Sequence, residues 1–244
     1  MFDKNLFQPI IDFQKQIIEM TSQIDKIIQE NLPEIELPEI TLPKLNYEEI
    51  RTNIKHNSRY GWTLTGGMSL GHYLDKVLRN MNQDQLDEYF FQYYTTNDNS
   101  FFKETETHLL KFIEPHRKEL LKDCLDNFVN NNYRIAIPSL MTLIEGEVTD
   151  ILETKDYGWK LNDKMSNAAK DEEEKFYQIT TYSTYDYLRR ELYKPHKFDT
   201  KRRNMINRHW VLHGRDNPNV WTKYDGLRLI NVLSSLQFIK EYKD

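Results

Sequence analysis

The chain has 244 residues, 39% hydrophobic and 29% charged, with only eight glycines and eight prolines, so it reads as a folded chain without the turn-rich grammar of a sandwich or barrel. Its formal net charge of −5 argues against indiscriminate nucleic-acid binding, and the lone Cys124 cannot form an intramolecular disulfide. No apolar run of about 18 residues is present to span a bilayer, and MFDKNLFQPI lacks the basic region and cleavage site of a signal peptide, so the expectation is a cytosolic all-α protein with no membrane partner.

Residues 1–31 predict an amphipathic helix, with Ile10, Phe13, Ile17, Met20, Ile24 and Ile27 at heptad a/d spacing. The stretch is short for a coiled coil, so packing on its own domain and self-pairing both stay open. Residues 32–46 carry Pro33, Pro38 and Pro43 at five-residue intervals. Each proline lacks an amide donor and pushes its predecessor out of the helical region, so this segment is expected to be an extended strap, apolar enough to lie along a groove.

Residues 47–83 form a helical connecting region: a short helix over Tyr47–Asn57, a turn-rich connection from Tyr60 to Gly67, and helix-spaced apolar residues over Ser69–Met81. Asp84–Tyr94 and Glu114–Asn130 read as helices, the second stopped by Asn130-Asn131-Asn132. Tyr133–Thr154 is the most apolar helix and is expected to be central, with a kink or a start near Ile137 because of Pro138. Asn162–Lys175 is polar, with an acidic run at Asp171–Glu174 that reads as a solvated loop or helix face. Phe176–Leu188 has strand-like residues but no partner strand, so helix is assigned. Asp199–His213 and Thr222–Tyr242 close the chain as helices, separated by the turn signal Gly214–Val220.

Charge is placed unevenly. From Thr181 to Arg215 nine basic residues face three acidic ones, a local +6 suited to a polyanion. Within that run lies Asn204-Met205-Ile206-Asn207-Arg208-His209-Trp210-Val211-Leu212-His213-Gly214, in which four residues separate Arg208 from His213. Arginine's planar fork matches phosphate oxygens, and histidine titrates near neutrality and can move protons.

This segment resembles the R-x₄-H motif of the HEPN superfamily, in which a polar residue such as His209 often follows the arginine. Ile137-Pro138-Ser139-Leu140 through Glu145-Gly146 is similar to the central helix of HEPN-like proteins of phage defence and abortive infection. The resemblance covers residues 84–244 and leaves the heptad helix and the strap unexplained. It implies a HEPN-like helical bundle and a metal-independent endoribonuclease acting as a homodimer on an RNA substrate. The RNA 2′-hydroxyl would attack the adjacent phosphate, leaving a 2′,3′-cyclic phosphate and a 5′-hydroxyl, and the setting would be a toxin or anti-phage effector with an antitoxin or other regulatory partner.

Arg208 and His213 are the expected catalytic pair, supported by Asn207, His209 and Glu145. Glu145 admits two readings, an acid that orients the arginine or a surface residue before Gly146. Lys201, Arg202 and Arg203 would carry RNA, or form an ordinary solvated face. An alternative register joins Arg203 to His209. His209 and His213 share the four-residue spacing of a metal-binding helix face but lack a third ligand of recognisable spacing, so no metal site and no cofactor are assigned. A different functional class also fits the residues: a silent helical dimerisation module that binds a partner protein, RNA or a nucleotide.

Overall fold

The computed structural model describes residues 47–161, 163–165, 176–198, 202 and 204–243. The predicted N-terminal helix, the proline strap, the Asp171–Glu174 run, Lys201 and Arg203 lie outside the described residues. Among the described residues all regular structure is helical. The elements are α1 (Tyr47–Arg59), α2 (Leu70–Tyr73), α3 (Gln83–Phe112), α4 (Lys118–Val129), α5 (Tyr133–Ile151), α6 (Phe176–Tyr187), α7 (Arg208–Leu212) and α8 (Lys223–Lys243), with short 3₁₀ turns between several of them. No helix among these residues is long and apolar enough to cross a membrane.

The predicted Ser69–Met81 helix is instead the single turn α2 followed by a 3₁₀ turn, Lys76–Asn80, which Asp75 caps by accepting from the Val77 amide. α3 starts with a capping box, since Asn82 and Gln85 satisfy each other's backbone amides. It is interrupted at Thr96–Asn99, where Asn97, Asp98 and Asn99 all have positive φ. Asn and Asp are the residues beyond glycine that tolerate this region best. α4 and α5 pack as a hairpin around Asn130-Asn131-Asn132, with Asn131 left-handed.

Pro138 does not start α5. The helix begins at Tyr133, and the carbonyl that proline leaves without an amide partner belongs to Arg134, an exposed residue. The apolar pattern overreached at two positions, since Ile135 and Leu120 are exposed. Phe176–Tyr187 is helical and continues into a π-turn at Leu188–Leu192. The predicted Asp199–His213 helix is much shorter than expected and begins only at Arg208.

α5 contributes nine buried residues, as expected of a core helix, and α8 is buried more completely still. Every residue from Asp225 to Gln237 is buried, polar ones included. Arg228 pairs with Asp87 at 3.2 Å and with Asp225 at 2.6 Å. Asn231 accepts from the amide and hydroxyl of Thr63, both at 2.8 Å, and donates to the Thr63 carbonyl at 3.1 Å and the Tyr94 hydroxyl at 3.0 Å. The Tyr60–Gly67 connection is therefore no surface loop. It threads the interior, where Trp62 donates to Asp87 at 2.9 Å and stacks on Phe90. A buried polar helix of this kind is stable because nearly every polar atom has a partner.

Candidate functional site

Asn207 builds the site. Its buried side-chain oxygen caps α7 by accepting from the amides of His209 (3.1 Å) and Trp210 (3.3 Å). Its amide nitrogen donates to the carbonyls of Glu191 and Lys194 at 2.8 and 2.9 Å, tying α7 to the chain after α6. One asparagine thus starts the helix at Arg208 and fixes where it lies. The other end is His213, with Gly214 in the left-handed conformation beyond it and the amides of Arg215 and Asp216 bonded to the Trp210 carbonyl.

Arg208 leaves the start of α7 towards α5. Its Nε and Nη2 both lie 2.6 Å from Glu145 Oε2, and Glu145 Oε1 accepts from the Gly158 amide at 3.0 Å. Of the two readings that the sequence left open for Glu145, the geometry matches the acid that orients Arg208. The guanidinium also sits 5.8 Å from the centre of the Tyr193 ring. Burial raises the Tyr193 hydroxyl above its ordinary range, with the Glu145 charge adding to it, so the ring stays neutral. Gly158 has φ +59, and a Cβ there would stand 3.3 Å from Arg208 Nη1, so glycine suits both the turn and the close approach.

His213 belongs to a second set of contacts. Its ring centre is 4.6 Å from that of His209, and the Phe198 ring stacks on His209 at 4.6 Å with planes only 4° apart. Phe198 also meets His213 edge-on at 5.9 Å, while the Arg215 guanidinium lies 5.4 Å from the Phe198 centroid. Partial burial, then the neighbouring His213 and Arg208 charges, hold the His209 imidazole below its ordinary range. His209 thus favours its neutral form, beside an exposed His213.

Within one chain the structure therefore brings Arg208 to Glu145, Tyr193 and Gly158, and His213 to His209 and Phe198. Arg208 and His213 stand at opposite ends of α7 with different neighbours. Gly158, Tyr193, Phe198 and Arg215 were not singled out by sequence spacing, although Arg215 counted towards the basic run. The others carry no motif, and only the fold brings them to α7.

The local +6 is partly neutralised. Arg202 pairs with Asp216 at 2.6 Å, the residue just past the basic run, and Asp216 also accepts from Trp221 Nε1 at 2.9 Å. Arg189 and Arg190 share Asp186, a carboxylate already counted in that +6. Among the described residues no group of three or more His, Cys, Asp or Glu side chains is arranged to hold a metal ion. No family model, curated protein or solved structure matches the chain.

Proposed function

We propose that the protein is a metal-independent endoribonuclease of the HEPN type, with a HEPN-like helical bundle in residues 84–244, acting as a toxin or abortive-infection effector. The observation that carries this reading is the oriented R-x₄-H segment. Glu145 holds Arg208 at the head of α7, and His213 stands exposed at its end beside His209.

Side chains five residues apart on a helix diverge by about 140° around the axis, at ~100° per residue. Two chains related by a two-fold axis overcome this divergence, because each copy then supplies an arginine and a histidine to one shared phosphate. The 2′-hydroxyl attacks the adjacent phosphorus, the P–O5′ bond breaks, and a 2′,3′-cyclic phosphate and a 5′-hydroxyl remain. A histidine takes the 2′-hydroxyl proton or returns one to the 5′-oxygen, and Arg208 stabilises charge on the pentavalent phosphorus. An antitoxin or other regulatory partner would restrain this activity in the cell.

The tight Arg208–Glu145 pair also favours a second reading, in which Arg208 is a structural ion-pair partner and the protein is a silent dimerising module. RNA cleavage measured in chelator separates the two. The nuclease reading expects cleavage to persist without divalent metal and to fall by about 10²–10⁴-fold in His213→Ala and Arg208→Ala variants that stay folded. Folded variants that cleave as well as the parent, or a parent that cleaves no RNA while dimeric, would favour the module.

A further inference from the structure

A second feature lies away from α7. Before its break at Thr96–Asn99, one face of α3 carries Asp84 and Glu88 on one ridge and Tyr89 and Tyr93 on the next; Phe101 and Glu104 follow the break. Residues four apart stack along a helix, so the ridges before the break form a stripe, which Phe101 and Glu104 extend beyond it along the same groove. Its rings are half-buried, packed against the core on one side and open on the other. It forms one side of a groove of about 1030 Å³ whose opposite wall includes Met68, His72 and Met81. The aromatic floor is held in place, because Tyr93 accepts from the Ser69 amide at 2.8 Å and packs on Phe101, and Tyr89 donates to the His72 carbonyl at 3.3 Å.

The charge of this groove has one sign. Three carboxylates line it, and no lysine or arginine does. Glu88 is engaged by Gln92 and Tyr224, and these bonds, with the nearby Lys223 charge behind the rim, hold its carboxyl below the ordinary range. Asp84 and Glu104 are exposed near the two ends of the stripe. From Asp84 to Thr96 the helix alone rises about 18 Å, at ~1.5 Å per residue, long enough for several turns of a peptide helix. Methionine and aromatic walls with an acidic rim fit an amphipathic segment that places apolar anchors on the floor and lysines or arginines at the edge.

We propose that this groove is a docking site for a basic amphipathic peptide segment of a partner protein. The charge complementarity selects this occupant, and the length and openness of the stripe suit a peptide over a compact small molecule. The assignment stands whether or not α7 cleaves RNA.

The test uses the full chain and a fluorescein-labelled 18-residue peptide of leucines and lysines patterned as an amphipathic helix, with anisotropy as readout. The wild-type protein should bind it, and the same pattern built with glutamates in place of lysines should not bind. Asp84→Lys/Glu104→Lys should weaken binding about tenfold and flatten its salt dependence. Glu104→Lys alone, which leaves the start of α3 untouched, should account for part of that loss. Asp123→Lys/Asp126→Lys changes net charge equally on the exposed side of α4 and should bind like wild type. Equal weakening by the α4 pair would reduce the effect to net charge and overturn the site. So would unchanged binding by the α3 pair. Sedimentation showing that the α3 reversals instead dissolve a self-associated protein would assign the groove to a second copy and overturn the proposed partner.

Discussion

Replacing Glu145 with alanine removes both hydrogen bonds that hold Arg208 and the acceptor of the Gly158 amide. The two side chains are 18% and 17% exposed. An exposed ion pair is worth about 0–1 kcal/mol and the loss of one partner of a fully buried pair costs about 3–5 kcal/mol, so this mostly buried pair belongs near 2–3 kcal/mol after allowance for residual solvent. With a urea slope of about 2–3 kcal/mol per molar, the unfolding midpoint should fall by about 1 M. The double-mutant cycle with Arg208→Ala should give a coupling of about 1–2 kcal/mol, since each residue's loss is felt mainly through the other. Circular dichroism against urea for the four proteins supplies every corner of the cycle. A coupling near zero, or a midpoint unmoved by Glu145→Ala, would refute the claim that Glu145 orients Arg208.

Three further outcomes follow from the geometry. Asn231→Ala strands the Thr63 amide and carbonyl in the interior, removes one of the Tyr94 hydroxyl's partners and should cost about 4 kcal/mol in urea unfolding, at about 1–3 kcal/mol per unsatisfied group; a cost below about 1 kcal/mol would contradict the structural weight given to the buried polar side of α8. Gly146→Ala should destabilise the protein although alanine is the better helix former, because the new Cβ would stand 2.6 Å from Arg117 Cζ and push that guanidinium off Glu147 and Asp150. A rise in melting temperature would show that Arg117 moves aside freely. His209, whose folded-state pKa is lowered chiefly by burial, should titrate below an ordinary histidine in NMR, and Phe198→Ala should move it back up. Because the folded state binds its proton less readily than the unfolded chain, its contribution to stability is present above the ordinary histidine pKa and lost as pH falls from there through the lowered folded-state value. An unchanged His209 titration in Phe198→Ala would remove the role given to the stack.

The helical class was legible from the scarcity of breakers, and α4, α5 and α8 lie close to where periodicity puts them. The complete burial of α8 was not legible. α8 carries Arg228, Asn231, Ser235 and Gln237 among its apolar residues, which resembles a helix with one wet side. Besides the local Arg228–Asp225 pair and the Ser235 bond to the Asn231 carbonyl, their partners are Asp87, Thr63 and the Leu109 carbonyl, more than a hundred residues away in the chain, so local pattern cannot see them. α5 is more apolar and drew the assignment, yet it leaves Ile135 exposed.

At the candidate site, Arg208, His213 and the cap at Gly214 were readable because they are neighbours on one short segment. The role of Glu145 depended on a contact across 63 positions, and those of Gly158, Tyr193 and Phe198 on the path of loops. The length of α7 was missed because Asn207, taken as a supporting polar residue inside a helix, is its N-cap. The charge of the basic run was overstated because its neutralising partner, Asp216, stands one residue past the counted window.

The proposed nuclease site requires one phosphate to be served by Arg208 and His213 from two chains. Wild-type protein mixed with increasing amounts of His213→Ala, with chain exchange verified by mass and RNA cleavage measured in chelator, tests this directly. The account predicts that activity falls below the proportion of wild-type chains, because every heterodimer carries a damaged shared site. Activity that tracks that proportion linearly would contradict it.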